Sequence, residues 1–198
     1  MTSTYTPLPE SFFQKHTLQL AEALLGCFLV KETSDGTTVG IIVETEGYLG
    51  VVDRAAHSFG GRHTKRTAIM FEAPGHIYTH TMHTHCLINV VSGEAGNPEA
   101  ILIRAIEPYE GIDLMLQRRP VSKFTNLSSG PGKLTKAMGI TMNDYGGKFT
   151  QPPLYIASGI PPKNISRGKR VGIGKAGEAK YYPWRFWITG NAFVSPGR

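Results

Sequence analysis

Two stretches carry residue types that can do chemistry. HIYTHTMHTHC at 76–86 packs four histidines, a tyrosine and a cysteine into eleven residues, and VETEGYLG at 43–50 sets Glu44 and Glu46 two apart. Clustered imidazoles invite a zinc reading, but zinc requires three or four ligands that converge on one point. On a strand, alternation sends His76 and His80 to one side and leaves His83 and His85 near or beyond a turn. Neither HExxH nor a pair of CxxC motifs is present. The spacing therefore favours four polar strand positions over a metal site, and we expect neither a metal nor a cofactor. For the carboxylates, a regular strand points Glu44 and Glu46 to the same side and Thr45 to the other. An apolar run, GIIV, ending in two same-side acids either emerges into solvent or delivers a general base to a pocket.

Cations cluster nearby. DRAAHSFGGRHTKR at 53–66 holds His57, Arg62, Lys65 and Arg66 around a Gly pair; such a loop either grips phosphates or is an ordinary solvated surface. GPGK at 130–133 resembles a nucleoside-triphosphate loop only superficially. Leu127 stands where its first glycine belongs, and Leu134 where Ser or Thr should follow Lys133. A helix start beside Lys133 can still hold one backbone phosphate.

These residues need a scaffold. Ser11 and Gln14 read as a capping box for a helix whose leucines run to Gly26. Residues 27–32 and 37–49 form a hairpin across the turn at 34–36, and 77–82, 87–92 and 101–106 are further strands. A helix is expected over 108–118, stopped by Pro120, and another after Ser129 or Gly130, stopped by Gly139. Late strands are expected at 154–157, 170–173 and 185–189. With no repeats and no linker, the class is α+β: one domain over 1–198, with helices flanking a curved, mostly antiparallel sheet.

Composition sets the partners. The 198 residues suit one core-forming domain, and 40% hydrophobic against 18% charged content excludes a disordered chain. A formal charge of +6, from 21 Lys and Arg against 15 Asp and Glu, with a pI near 9.4, raises a polyanionic partner beside the plainer reading of a mildly basic protein. Cys27 and Cys86 sit among apolar residues, which points to reduced thiols and the cytoplasm. The N-terminal MTSTYTPLPESF lacks the charged and apolar regions of a secretory signal and any long apolar run, so neither secretion nor a membrane span is expected.

Taken in order, ETEGYLG, DRAAHSFGGRHTKR, MFEAPGHIY, ILIRAIEP, SSGPGKLTKAMGI and RVGIGKAGEAKYYPWRFW resemble the alkyladenine (3-methyladenine, methylpurine) DNA glycosylase family, in its compact bacterial form, from about residue 12 to 190. The resemblance implies a mixed α/β domain that flips an alkylated or deaminated purine out of double-stranded DNA and hydrolyses its N-glycosidic bond. It makes Glu46 the catalytic base, with Glu44 in support. Tyr48, His57 and His80 become the walls of the base pocket, with Tyr78 among its residues, Asn89 the group that discriminates against guanine, and Arg104 the cation beneath. Arg62, Lys65, Arg66 and Lys133 would hold phosphates, and Met82 or, preferably, His83 would wedge into the duplex. Two positions depart from the family pattern: His80 replaces a tyrosine of the mammalian members, and Gly47 the usual alanine. A protonated His80 would oppose the cationic bases that alkylation creates. The implied enzyme is a monofunctional, monomeric glycosylase of base excision repair, working on nucleoid DNA and free of any membrane. A non-catalytic DNA-binding module and a histidine-ligated, metal-dependent hydrolase are the competing readings.

Overall fold

The computed structural model describes residues 5–197, so the first four residues of the N-terminal stretch lie outside it. Two short helices, α1 (Glu10–Phe13) and α2 (Thr17–Ala23), precede the hairpin β1 (Phe28–Thr33) and β2 (Gly36–Tyr48). Then come β3 (Ile77–Met82), β4 (His85–Ser92), β5 (Glu99–Glu110), α3 (Ile112–Arg118), α4 (Pro131–Met138), β6 (Leu154–Ala157), β7 (Ile165–Gly168) and β8 (Arg185–Ile188). All the paired strands run antiparallel, in the order β3-β4-β5-β2-β1-β6, with β8 joining β2 and β7 joining β8. The curled sheet and its helices make this a mixed α+β fold, as expected.

Strand β2 decides where chemistry can occur. Its first half pairs with β1, and its Glu44–Thr45–Glu46 segment pairs with β8, while β5 runs along the other edge from Val39 to Tyr48. The ladder with β5 is irregular at three places, the first between Val39 and Gly40. Val43 is extra on β2, and Arg104 is extra on β5, between the pairs Glu44↔Ala105 and Thr45↔Ile103. A bulge re-aims the side chain it carries, and this one turns Arg104 toward both glutamates.

The core lies between the sheet and the helices that pack on it, with Phe13, Leu20, Leu24, Leu29, Ile42, Ile88, Ile101 and Ile103 fully buried. Gly130 starts α4, Pro131 supplies the helix-ready φ of its first turn, and Gly139, at φ 75°, ends it in the left-handed region. Both cysteines are free, and burial pushes each thiol up to about 11.

Three local expectations fail. Ser11 lies inside α1 and caps nothing; Pro9 holds the cap position, and the helix breaks before His16. Burial of Phe13 against Phe149 and a Thr17 hydroxyl bond to Ser92 anchor the two pieces separately, so tertiary contacts outweigh the local signal. The expected helix at 108–118 begins only at Ile112, because β5 continues through Pro108, which sits opposite Gly40 beside an irregular register where a missing N–H is tolerated. Residues 170–173 form no strand; β7 lies just before them, and Arg170 is instead drawn into a buried ion pair with Asp53.

Candidate functional site

Both β2 glutamates are fully buried, on the side that Arg104 faces, so the solvated strand end is excluded. Their surroundings differ. Glu44 is saturated: its Oε1 accepts from Arg104 Nε (3.1 Å), Arg185 Nε (2.6 Å) and the Ser195 hydroxyl (2.8 Å), and its Oε2 from the Ser195 N–H (2.7 Å). Glu46 has lighter support. The Val171 N–H donates to its Oε1 at 2.7 Å, the Tyr48 hydroxyl to its Oε2 at 2.8 Å, and Arg104 Nη1 lies 3.5 Å from Oε2. Burial pushes the Glu46 carboxyl above the ordinary range, while Arg104, Val171 and Tyr48 pull it back.

Tyr48 joins this carboxylate to a cavity of about 80 Å³, lined by Tyr48, His57, Met70, Tyr78, His80, Asn89, Leu87 and Ile173, among others. Of the expected site residues, Tyr48, His57, Tyr78, His80, Met82 and Asn89 thus meet around one hollow, while Glu46 and Arg104 lie outside its lining. His57 Nδ1 lies 2.8 Å from the Tyr78 hydroxyl, and the His57 and His80 rings meet edge to face at 4.6 Å. Burial holds both imidazoles neutral, His57 down at about 4 and His80 at about 3, with the Arg66 charge adding to the effect on each. The expected conflict between a charged His80 and a cationic base therefore does not arise near neutral pH.

Arg62, Lys65 and Arg66 are exposed on the loop beside the cavity. Lys133 occupies a separate hollow between α4 and the β3–β4 tip, where it lies with His83, His85, Arg119 and Lys136. Met82 and Leu87 border both hollows, so the hairpin divides them. Its turn is two residues long, and His83 takes φ 53°, the positive value such turns favour. His76 Nδ1 bonds the Ala73 carbonyl at 2.7 Å, and among the described residues no three His, Cys, Asp or Glu side chains gather as a metal site.

Several supporting residues escaped the sequence reading. Arg170 lies over the Tyr48 and Trp184 rings (4.6 and 4.9 Å) and donates to the Gly47 carbonyl at 2.8 Å and to Asp53 Oδ1 at 2.8 Å. It therefore fixes the strand end that carries Glu46 and Tyr48. Arg170 and Arg185 both lie within the segment RVGIGKAGEAKYYPWRFW, which could have raised them, but nothing local marks Ser195. At Gly47 a Cβ would stand 2.7 Å from Leu18 Cδ2 of α2, the end of a flexible side chain that can move aside.

A buried carboxylate beside an aromatic slot, with exposed cations on the adjoining loop, is an arrangement that can serve hydrolysis of a flat group presented by a polyanion. The family model described as methylpurine-DNA glycosylase (MPG) matches residues 11–192, and the chain belongs to that family. Three relatives are provisionally named 3-methyladenine DNA glycosylases. That of Oceanobacillus iheyensis is 60% identical over 191 residues, covering 96% of each chain. The protein from Bacillus subtilis strain 168 is 60% identical over 195 residues, covering 98% of this chain and all of its own. One from Listeria monocytogenes serotype 4a is 43% identical over 195 residues, covering 98% of this chain and 94% of its own. Among the described residues no helix is long and apolar enough to cross a membrane.

Proposed function

We propose that this enzyme releases alkylated or deaminated purines, 3-methyladenine and hypoxanthine among them, from duplex DNA by hydrolysis, opening base excision repair. The observation that supports this best is Glu46: buried, held by donors that favour its ionised form, and linked through Tyr48 to an aromatic cavity. Water is a poor nucleophile, so a carboxylate within hydrogen-bond reach must draw its proton as the sugar carbon gains oxocarbenium character. Glu46 takes that role, and Glu44, saturated by its partners, holds Arg104 in place. No lysine nucleophile is required, so the product is an abasic site in an uncut strand.

Extruding a nucleotide costs a few kcal/mol, least for a damaged and poorly paired base. Tyr48, His57, Tyr78 and His80 recover that cost by contact with the base, Asn89 screens against guanine, and His83 at the hairpin apex, with Met82 beside it, fills the space left in the duplex. Arg62, Lys65, Arg66 and Lys133 hold phosphates. The unit is one domain spanning 1–198, acting as a monomer on nucleoid DNA in the cytoplasm. The deciding experiment is release of free base, followed by chromatography, from duplexes carrying 3-methyladenine or hypoxanthine, with EDTA present. Release unaffected by the chelator is expected. Abolition by EDTA would return the histidines to a metal role, and salt-sensitive binding without release would leave a DNA-binding module.

Two further outcomes test the parts. Because Glu46 must be ionised and burial raises its pKa, kcat/KM should fall on the acid side at a pH above the ordinary carboxylate value. Tyr48→Phe removes a donor to the ionised form and should move that limb to higher pH, as a pH profile of the two proteins will show. Binding should weaken steeply with salt, and Lys65→Ala should lower the slope of log K against log salt by about 1. An unchanged slope in a salt titration would remove Lys65 from the phosphate contacts.

A further inference from the structure

The protonation of His80 is settled by its neighbour. Asn89 Nδ2 lies 3.0 Å from the Tyr78 carbonyl oxygen and 3.2 Å from His80 Nδ1. A carbonyl only accepts, so the nitrogen end of the amide must face it, and this fixes which way Asn89 points. Both amide hydrogens are then committed, one to Tyr78 and one to His80 Nδ1, which must be a bare acceptor. A neutral imidazole with a bare Nδ1 carries its proton on Nε2.

The rest of the ring is also accounted for. Tyr78 stacks on His80 at 5.2 Å, and the perpendicular His57 ring meets it at 4.6 Å. His80 lines the aromatic cavity, and its Nε2 has no hydrogen-bond partner among the described residues yet is not one of the sealed, unpartnered atoms of the interior. Its one free hydrogen is therefore left without a partner among the described residues, on a residue that lines the cavity.

We propose that His80 reads the flipped purine by hydrogen bonding: its Nε2–H, held as a donor by Asn89, pairs with an acceptor on the edge of the damaged base, and Asn89 is the positioning residue. This rests on the glycosylase reading of the cavity. A tyrosine hydroxyl can rotate to donate or accept, whereas the tautomer set by Tyr78 and Asn89 only donates. Damaged purines that turn an acceptor to this wall are accepted, and those that turn an N–H to it meet a second donor and leave both unpaired.

The test has two arms. Nitrogen-15 NMR of protein labelled in its histidine rings should show His80 with Nε2 protonated and Nδ1 bare at neutral pH; a proton on Nδ1 overturns the proposal. Binding is then measured to duplexes carrying hypoxanthine on a 2′-fluorinated sugar that resists hydrolysis, and to matched duplexes with 7-deazahypoxanthine, which lacks the N7 acceptor, 3-deazahypoxanthine, which lacks N3, or purine, which lacks O6 and exchanges the N1–H for a bare nitrogen. One of these losses should weaken binding to the wild type by about tenfold and have no effect in His80→Phe, which keeps a ring and loses the donor. If no loss depends on His80, the donor role is wrong. Base release by the wild type from 3-methyladenine DNA scores the glycosylase reading separately: release without coupling sinks only this proposal, and no release sinks the reading beneath it.

Discussion

Glu46→Gln is expected to lower the single-turnover rate of base release by about 10²- to 10⁴-fold, the usual contribution of a positioned general base. The substitution is close to isosteric. The amide oxygen can still accept from the Val171 N–H, and the amide nitrogen can donate to a rotated Tyr48 hydroxyl where the carboxylate had accepted from it. Stability should hold or rise, by the following sign. Burial raises the Glu46 pKa in the fold, so folding favours its protonated form. The stability this gives is present below the unfolded pKa and is lost as pH rises through the folded one. At neutral pH the ionised carboxylate is therefore a net cost that glutamine removes. Lesion binding retained, an unchanged or higher melting temperature and lost base release together identify a group kept for chemistry. Release near the wild-type rate would take Glu46 out of the reaction.

The sequence made the two glutamates visible because a period of two is a property of any strand, and β8 pairs regularly across Glu44–Thr45–Glu46. Gly130, Pro131 and Gly139 were legible for a similar reason, since each sits where its backbone preference is needed. What stayed hidden depends on distant partners. Nothing local says that Arg104 is the extra residue of a bulge, that Arg170 reaches Asp53 across 117 positions, or that Ser195 closes over Glu44 across 151. The capping-box error has the same origin: Ser11 and Gln14 have the right spacing, but the break before His16 is held by Phe149 and Ser92, far along the chain. The tautomer of His80 is the finest case. A histidine in a strand pattern announces a ring, while its polarity follows from the Tyr78 carbonyl acting through an amide on β4.

Glu44→Gln should do the reverse of Glu46→Gln, destabilising the protein by about 3–5 kcal/mol, the range for removing one partner from a buried ion pair. Two guanidinium groups, Arg104 and Arg185, converge on the Glu44 carboxylate, and Ser195 adds its N–H and hydroxyl. An amide carries no charge to balance the arginines and turns its own donor hydrogens toward groups that also donate. Among the described residues Arg185 otherwise has the Ser195 carbonyl at 2.9 Å and the Trp187 ring at 4.8 Å, so its charge is left without a carboxylate in the interior. Arg104 has another choice. Its Nη1 already lies 3.5 Å from Glu46, and with Glu44 neutral its charge should turn there, lowering the Glu46 pKa. The acid limb of kcat/KM should then move to lower pH, opposite to the Tyr48→Phe shift. Urea unfolding monitors the first effect and the pH profile the second. Wild-type stability in Glu44→Gln would mean that the two arginines find other compensation, and an unmoved acid limb would mean that Arg104 does not couple the two carboxylates. If both effects appear, the neighbouring glutamates divide their work: Glu44 keeps a cation buried, and that cation sets how readily Glu46 gives up its proton.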